Sequence, residues 1–210
     1  MLVVLAIITI ITTIAITSQS TFNKTLILKN TAYDVALSIR SAESFGIGSR
    51  VSTSGATNAA YGVHFTKATN SFIVFADTSP GDAGNDANHC HGLPPSGDAT
   101  APDALYGNCV YTSGADVLVQ TYTLGNGISV SNLCTSANGG QCSNSGLTTL
   151  DIVFARPNPN PFMSTNGTWP SGWKITKACI TLTSAQGGTS LILVSDTGAI
   201  VANVPASSCQ

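Results

Sequence analysis

The sequence predicts an α+β fold, with one long N-terminal α-helix packed across an antiparallel β-sheet and with disulfide-closed loops. Three observations predict it. Apolar residues suit a helix from Met1 to about Phe45; short runs rich in aromatic and β-branched residues, divided by turn residues, fill the remainder; and all the cysteines lie beyond the helical part. The chain divides accordingly into an apolar half of the helix over 1–20, an amphipathic half over 21–48 and an exterior β-rich domain over 49–210.

The first element opens MLVVLAIITIITTIAI, where 13 of the 16 residues are apolar and Thr9, Thr12 and Thr13 are the exceptions. Neither charge, Pro nor Gly interrupts it from Leu2 to Ile16. As a helix it would be about 24 Å long at ~1.5 Å per residue, while a bilayer core of ~30 Å asks for ~20 residues. The run is short for a clean span. No basic segment precedes it, as a secretory signal peptide would require. Leu2, Val3, Val4, Leu5, Ile7, Ile8, Ile10, Ile11, Ile14 and Ile16 are therefore the residues expected in lipid or among neighbouring helices.

From Thr21 the spacing becomes amphipathic. Leu28, Ala32, Val35, Ile39 and Ala42 step by four, three, four and three, and so form one stripe that packs on a domain core. Phe22, Leu26, Tyr33 and Leu37 project roughly opposite, where a surface helix ordinarily presents polar groups. Either loops of the same domain cover them or other copies of the chain do. Gly46-Ile47-Gly48 ends the helix.

Ser49 to Ala60 reads as a connector without periodicity. Tyr61–Phe65 and Ser71–Ala76 form a hairpin around Thr66-Lys-Ala-Thr-Asn70, and Asp77 to Leu105 is a polar loop. Strands follow at Val117–Thr123, Ile128–Val130 and Leu150–Ala155, then a Pro/Asn-rich loop from Arg156 to Pro170. Trp173–Thr176 and Ala178–Ser184 are extended, and Ser190–Ser195 and Ala199–Val204 complete a meander through turns at Gln186-Gly-Gly188 and Asp196-Thr-Gly198.

Composition bounds the function. Charged residues make up 9% of the chain, against ~25% in an ordinary soluble protein, and the formal net charge is −2, so no basic surface for nucleic acid is present. Ser, Thr, Asn and Gly must solubilise the surface. Six cysteines in the exterior part, Cys90, Cys109, Cys134, Cys142, Cys179 and Cys209, argue for disulfides in an oxidising compartment, although six allow 15 pairings. Cys134 and Cys142 bracket a loop too polar to hold a shape by burial, and are expected to pair. Cys90 and Cys109 would close the long polar loop.

Sites of chemistry are sparse. His89-Cys90-His91 lacks the second spaced pair that a structural zinc site needs. Asp77, Asp82 and Asp86, with Asn85 and Asn88, supply hard oxygen ligands for Ca²⁺, but their spacing departs from an EF-hand and a plain solvated loop is the alternative. The sequence has no Gly-x-Ser-x-Gly elbow, His-Glu-x-x-His or phosphate loop, so no enzyme and no organic cofactor is expected. His64 falls inside a strand as a half-buried structural residue. The sequons Asn23-Lys-Thr and Asn166-Gly-Thr permit glycosylation in principle.

LVVLAIITII followed by AYDVALSIRSAESFGIGSR resembles the N-terminal helix of type IV pilins and of the pseudopilins of type II secretion. YGVHF, FIVFAD and SLILVSDTGAIVAN are similar to sheet segments of the H-type minor pseudopilins. Thr9 and Thr17 stand where that family carries its helix-loosening Gly and Pro, and the family's Gly/Phe-Thr-Leu-Ile-Glu start is absent. The resemblance implies that a short basic leader and such a pentapeptide precede Met1. It implies a pilin-like fold, a Cys179–Cys209 disulfide pinning the C-terminus to the sheet, and Cys90 then with Cys109. The implied function is a structural subunit of a type IV pilus or related filament. It would be held in the inner membrane by its helix, cut by a prepilin peptidase, and polymerised by the assembly machinery with itself and other pilin-like subunits into a cell-surface filament. A minor pseudopilin of a type II secretion system and a monomeric, signal-anchored envelope adhesin are the alternatives.

Overall fold

The computed structural model describes residues 2–48, 59–78, 107–136, 141–155, 158–168 and 175–209. Helix α1 spans Leu2–Ile47, 46 residues. Ten strands follow among the described residues: β1 Ala60–Thr66, β2 Ser71–Asp77, β3 Val117–Thr123, β4 Ile128–Thr135, β5 Gln141–Cys142, β6 Thr149–Ala155, β7 Asn158–Thr165, β8 Lys177–Ser184, β9 Thr189–Ser195 and β10 Ile200–Val204. The fold is thus α+β with antiparallel sheets.

The strands form two five-stranded sheets, ordered β3-β2-β1-β6-β7 and β10-β9-β8-β4-β5, where the sequence led us to expect one. Two backbone hydrogen bonds stitch them together. Ala68 N donates to Val130 O at 2.7 Å and Val130 N to Thr69 O at 2.8 Å, so the tip of the β1–β2 hairpin docks on β4 of the other sheet. Strand periodicity reports which residues share a face, and it is silent on which strands become neighbours.

Two further boundaries moved. The Pro/Asn-rich stretch after Ala155 contains strand β7, carrying Pro159 and Pro161 at the edge of its sheet. An edge strand tolerates proline because the N–H on its open side has no ladder partner to lose. Strand β4 continues to Thr135, beyond the expected Val130, because Cys134 lies in register with both Cys179 of β8 and Cys142 of β5.

One core joins all layers. Leu28, Ala32, Val35, Ile39 and Ala42 of α1 are buried together with Val63, Phe65, Ile152 and Phe154 of one sheet and Val130, Ile180, Ile192 and Val194 of the other. The helix meets β1 and β6 on one side and β9 and β10 on the other, which is why a single apolar stripe serves two sheets. Gly46 is more than a helix stop: a Cβ there would lie 2.2 Å from the Phe154 carbonyl oxygen, so the close crossing of α1 over β6 requires glycine.

Candidate functional site: the uncovered faces of the N-terminal helix

The two halves of α1 have opposite fates. In the amphipathic half the Leu28 stripe is buried, whereas Phe22, Leu26, Tyr33 and Leu37 are exposed, with Leu37 at 63%. No loop among the described residues covers them. In the apolar half, Val3, Val4, Leu5, Ile7, Ile8, Ile10, Ile11 and Ile14 are all at least 51% exposed. The side chains of Leu2 and Ile16 lie outside the described residues.

By helical spacing these eight apolar side chains leave open one arc, that of Ala6, Thr9 and Thr13, and none of the eight belongs to the buried core of the domain. At ~1.5–3 kcal/mol for each fully buried aliphatic side chain, the burial forgone is on the order of 10 kcal/mol, as large as the stability of a typical domain. The threonines do not soften this surface. Thr9 Oγ1 donates to Leu5 O at 3.0 Å and Ala6 O at 2.9 Å, Thr12 Oγ1 to Ile8 O at 2.8 Å, and Thr13 Oγ1 to Thr9 O at 2.6 Å. Each hydroxyl hydrogen is returned to the helix, which suits an apolar surrounding. Among the described residues no helix is long and apolar enough to cross a membrane.

A groove of about 570 Å³ runs beside the exposed stripe, between α1 and the β3–β4 connection. Asp34, Leu37 and Ser38 form its helix side, and Phe72, Tyr122 and Leu124 its sheet side. Tyr122 stacks on Phe72 with ring centroids 5.0 Å apart, which makes that wall rigid and apolar.

On the opposite face of the first sheet, buried carboxylates hold the segment from Gly107 to Asp116. Asp77 accepts from the backbone N–H of Asn108 at 3.1 Å and of Cys109 at 2.8 Å. Asp116 accepts from Thr78 N at 2.9 Å and Thr112 N at 2.6 Å. Asp151 accepts from Tyr111 N at 3.3 Å and pairs through Oδ1 with His64 Nδ1 at 2.6 Å, while His64 Nε2 lies 3.0 Å from Thr66 Oγ1. Burial pushes the Asp77 carboxyl well above its ordinary range, reinforced by the charge of Asp116 and opposed by the backbone donors. Burial also raises Asp151, against the lowering effect of His64. The Tyr111 ring lies on His64, 5.0 Å between centroids, so this chain of polar groups fastens the covering segment.

Asp77, offered by the sequence either as a calcium ligand or as part of a solvated loop, is buried at the end of β2. Its two carboxylate oxygens are committed to backbone donors inside the protein, and no cluster able to hold a metal occurs among the described residues. Asp82, Asn85, Asp86 and Asn88 lie outside those residues, as do His89, Cys90 and His91. Asn166 of the second sequon is likewise committed. Its Oδ1 accepts from Thr148 N at 2.7 Å and Thr149 N at 3.2 Å, and its Nδ2 donates to Gly146 O at 3.1 Å. The missed residue of most consequence is Asp151. Its signal was present, a lone charge inside the apolar run Leu150–Ala155, which demands a buried partner.

Two disulfides join described residues, Cys134–Cys142 and Cys179–Cys209. Cys109 is disulfide-bonded as well. In comparisons with protein-family models, with characterised proteins and with solved structures, no match to this chain was found.

Proposed function

We propose that this chain is a structural subunit of a filament of the type IV pilus class, with a pilin-like division of labour along its long N-terminal helix. The uncovered apolar half of α1 carries the reading. In this view that half rests in the inner membrane before assembly and exchanges lipid for neighbouring helices afterwards. Packing between helices supplies the gain, because apolar transfer alone is nearly neutral from lipid to a helix bundle. The buried stripe keeps the β-rich domain attached as a surface-displayed, disulfide-closed head, and no catalysis is asked of it. Self and other pilin-like subunits are the partners, with a prepilin peptidase and an inner-membrane assembly machinery acting before them.

The test separates anchoring from folding. A chain beginning at Thr21 keeps Leu28 to Ala42 and loses the apolar half, and should be a folded monomer by circular dichroism and sedimentation. The full chain, released from detergent, should form filaments visible by electron microscopy. A full chain that stays monomeric and folded without detergent would overturn the proposal and favour a simple anchored adhesin.

A further inference from the structure

The filament reading leaves open how neighbouring copies contact one another beyond the apolar half. Successive residues of a helix turn by about 100°. With Val35 facing the core, Leu26 and Leu37 form the outward ridge, Lys29 and Tyr33 stand on one flank of it, and Asp34 stands on the other. Arg40 shares the Lys29 flank but is already paired with Glu43 at 3.1 Å. Lys29 and Asp34 are both exposed, and neither has an ion-pair partner among the described residues. Asp34 is also a wall of the groove whose far side is Phe72, Tyr122 and Leu124. The two flanks of one helix thus carry opposite unpaired charges, and one of them is concave.

We propose that the groove beside Asp34 receives the Lys29–Tyr33 flank of α1 from a second copy of this chain. The Lys29 ammonium meets the Asp34 carboxylate of its neighbour, and Tyr33, one turn from Lys29, lies against the apolar wall. The patches that meet are different on the two copies. Such a contact is heterologous: it leaves a free flank on one copy and a free groove on the other, so it propagates, into an open array when the rotation does not close a ring, where an isologous one would stop at a dimer. The contact also gives a partner to each of the Lys29 and Asp34 charges, which stand on opposite flanks. Each is a partial charge match in a contact that is otherwise apolar, which sets specificity more than affinity. The inference rests on the filament reading.

The experiment is a charge exchange in the full chain. Asp34→Lys and Lys29→Asp are prepared separately and together, with folding followed by thermal melting and polymer mass by sedimentation and electron microscopy. Each single variant places like charges across the contact and should lower polymer mass at least fivefold with the melt unchanged. The double variant restores the pair with reversed polarity and should recover to within twofold of the parent. Parent filaments with single variants that polymerise equally well would overturn the proposed contact and leave the filament reading standing. A double variant no better than either single one, with all chains folded, would also overturn it. Absence of filaments from the parent chain would overturn the filament reading and this contact with it.

Discussion

His64 Nδ1 lies 2.6 Å from Asp151 Oδ1, and the two residues are direct register partners across β1 and β6. The same Asp151 oxygen also accepts from Tyr111 N, while Oδ2 has no hydrogen-bond partner. One carboxylate oxygen thus joins two central strands to the segment that covers them. Asp151→Ala should cost about 3–5 kcal/mol, the range for breaking a buried pair and leaving its partner unsatisfied. Chemical denaturation measures it. Thermolysin should cut near Tyr111 faster in the variant, and equal rates would mean that other contacts hold the segment.

The raised carboxyls give the domain an unusual pH dependence. Protonated Asp77 and Asp151 are favoured in the folded state, so between the ordinary carboxylate range and their raised values the folded chain binds more protons than the unfolded one. Stability from these two groups is fully present below about pH 4 and is lost as pH rises through their raised folded values. The melting temperature should therefore increase when pH is lowered from 7.5 to about 5, opposite to a protein dominated by salt-bridged carboxylates. Asp77→Asn should flatten the trend. A melting temperature that falls steadily over this interval would contradict the assignment.

Gly46 sits where α1 crosses the backbone of Phe154. A methyl group there meets a carbonyl oxygen of a central strand, which cannot rotate away. Gly46→Ala should destabilise by about 1–3 kcal/mol, the ordinary penalty for overpacking, despite alanine's better helix propensity. Gly48, near the helix end, is the control, and its replacement should disturb only the local turn.

The two described disulfides should differ in worth. By the loop-closure relation, a separation of 30 residues for Cys179–Cys209 corresponds to about 3.6 kcal/mol and one of 8 for Cys134–Cys142 to about 2.5 kcal/mol. Replacing Cys179 and Cys209 with Ser should consequently lower stability the more, by about 1 kcal/mol in denaturant titrations. The reverse order would show that the short clasp organises β4 and β5 beyond its effect on the unfolded chain.

Local pattern made much of this chain legible. The 3.6-residue period separates Leu28, Val35 and Ile39 from Leu26, Tyr33 and Leu37, and the structure buries the first set and exposes the second. Strands β1, β2, β3, β6, β8 and β9 lie within about a residue of their expected bounds, because alternation and turn residues act over a few positions. Loop polarity alone pointed to Cys134–Cys142.

The pairings were decided elsewhere. Asn126 and Gly127 adopt left-handed conformations of the kind that closes hairpins, yet they carry the chain from β3, which pairs with β2, to β4, which pairs with β8. His64 and Asp151 are 87 residues apart, and neither sequence neighbourhood records the other. The division into two sheets and the commitment of Asp77 to backbone donors arise in the same way. A residue's own spacing determines which side it faces; what it meets there depends on burying both sheets against one helix at once, a condition that no single segment carries.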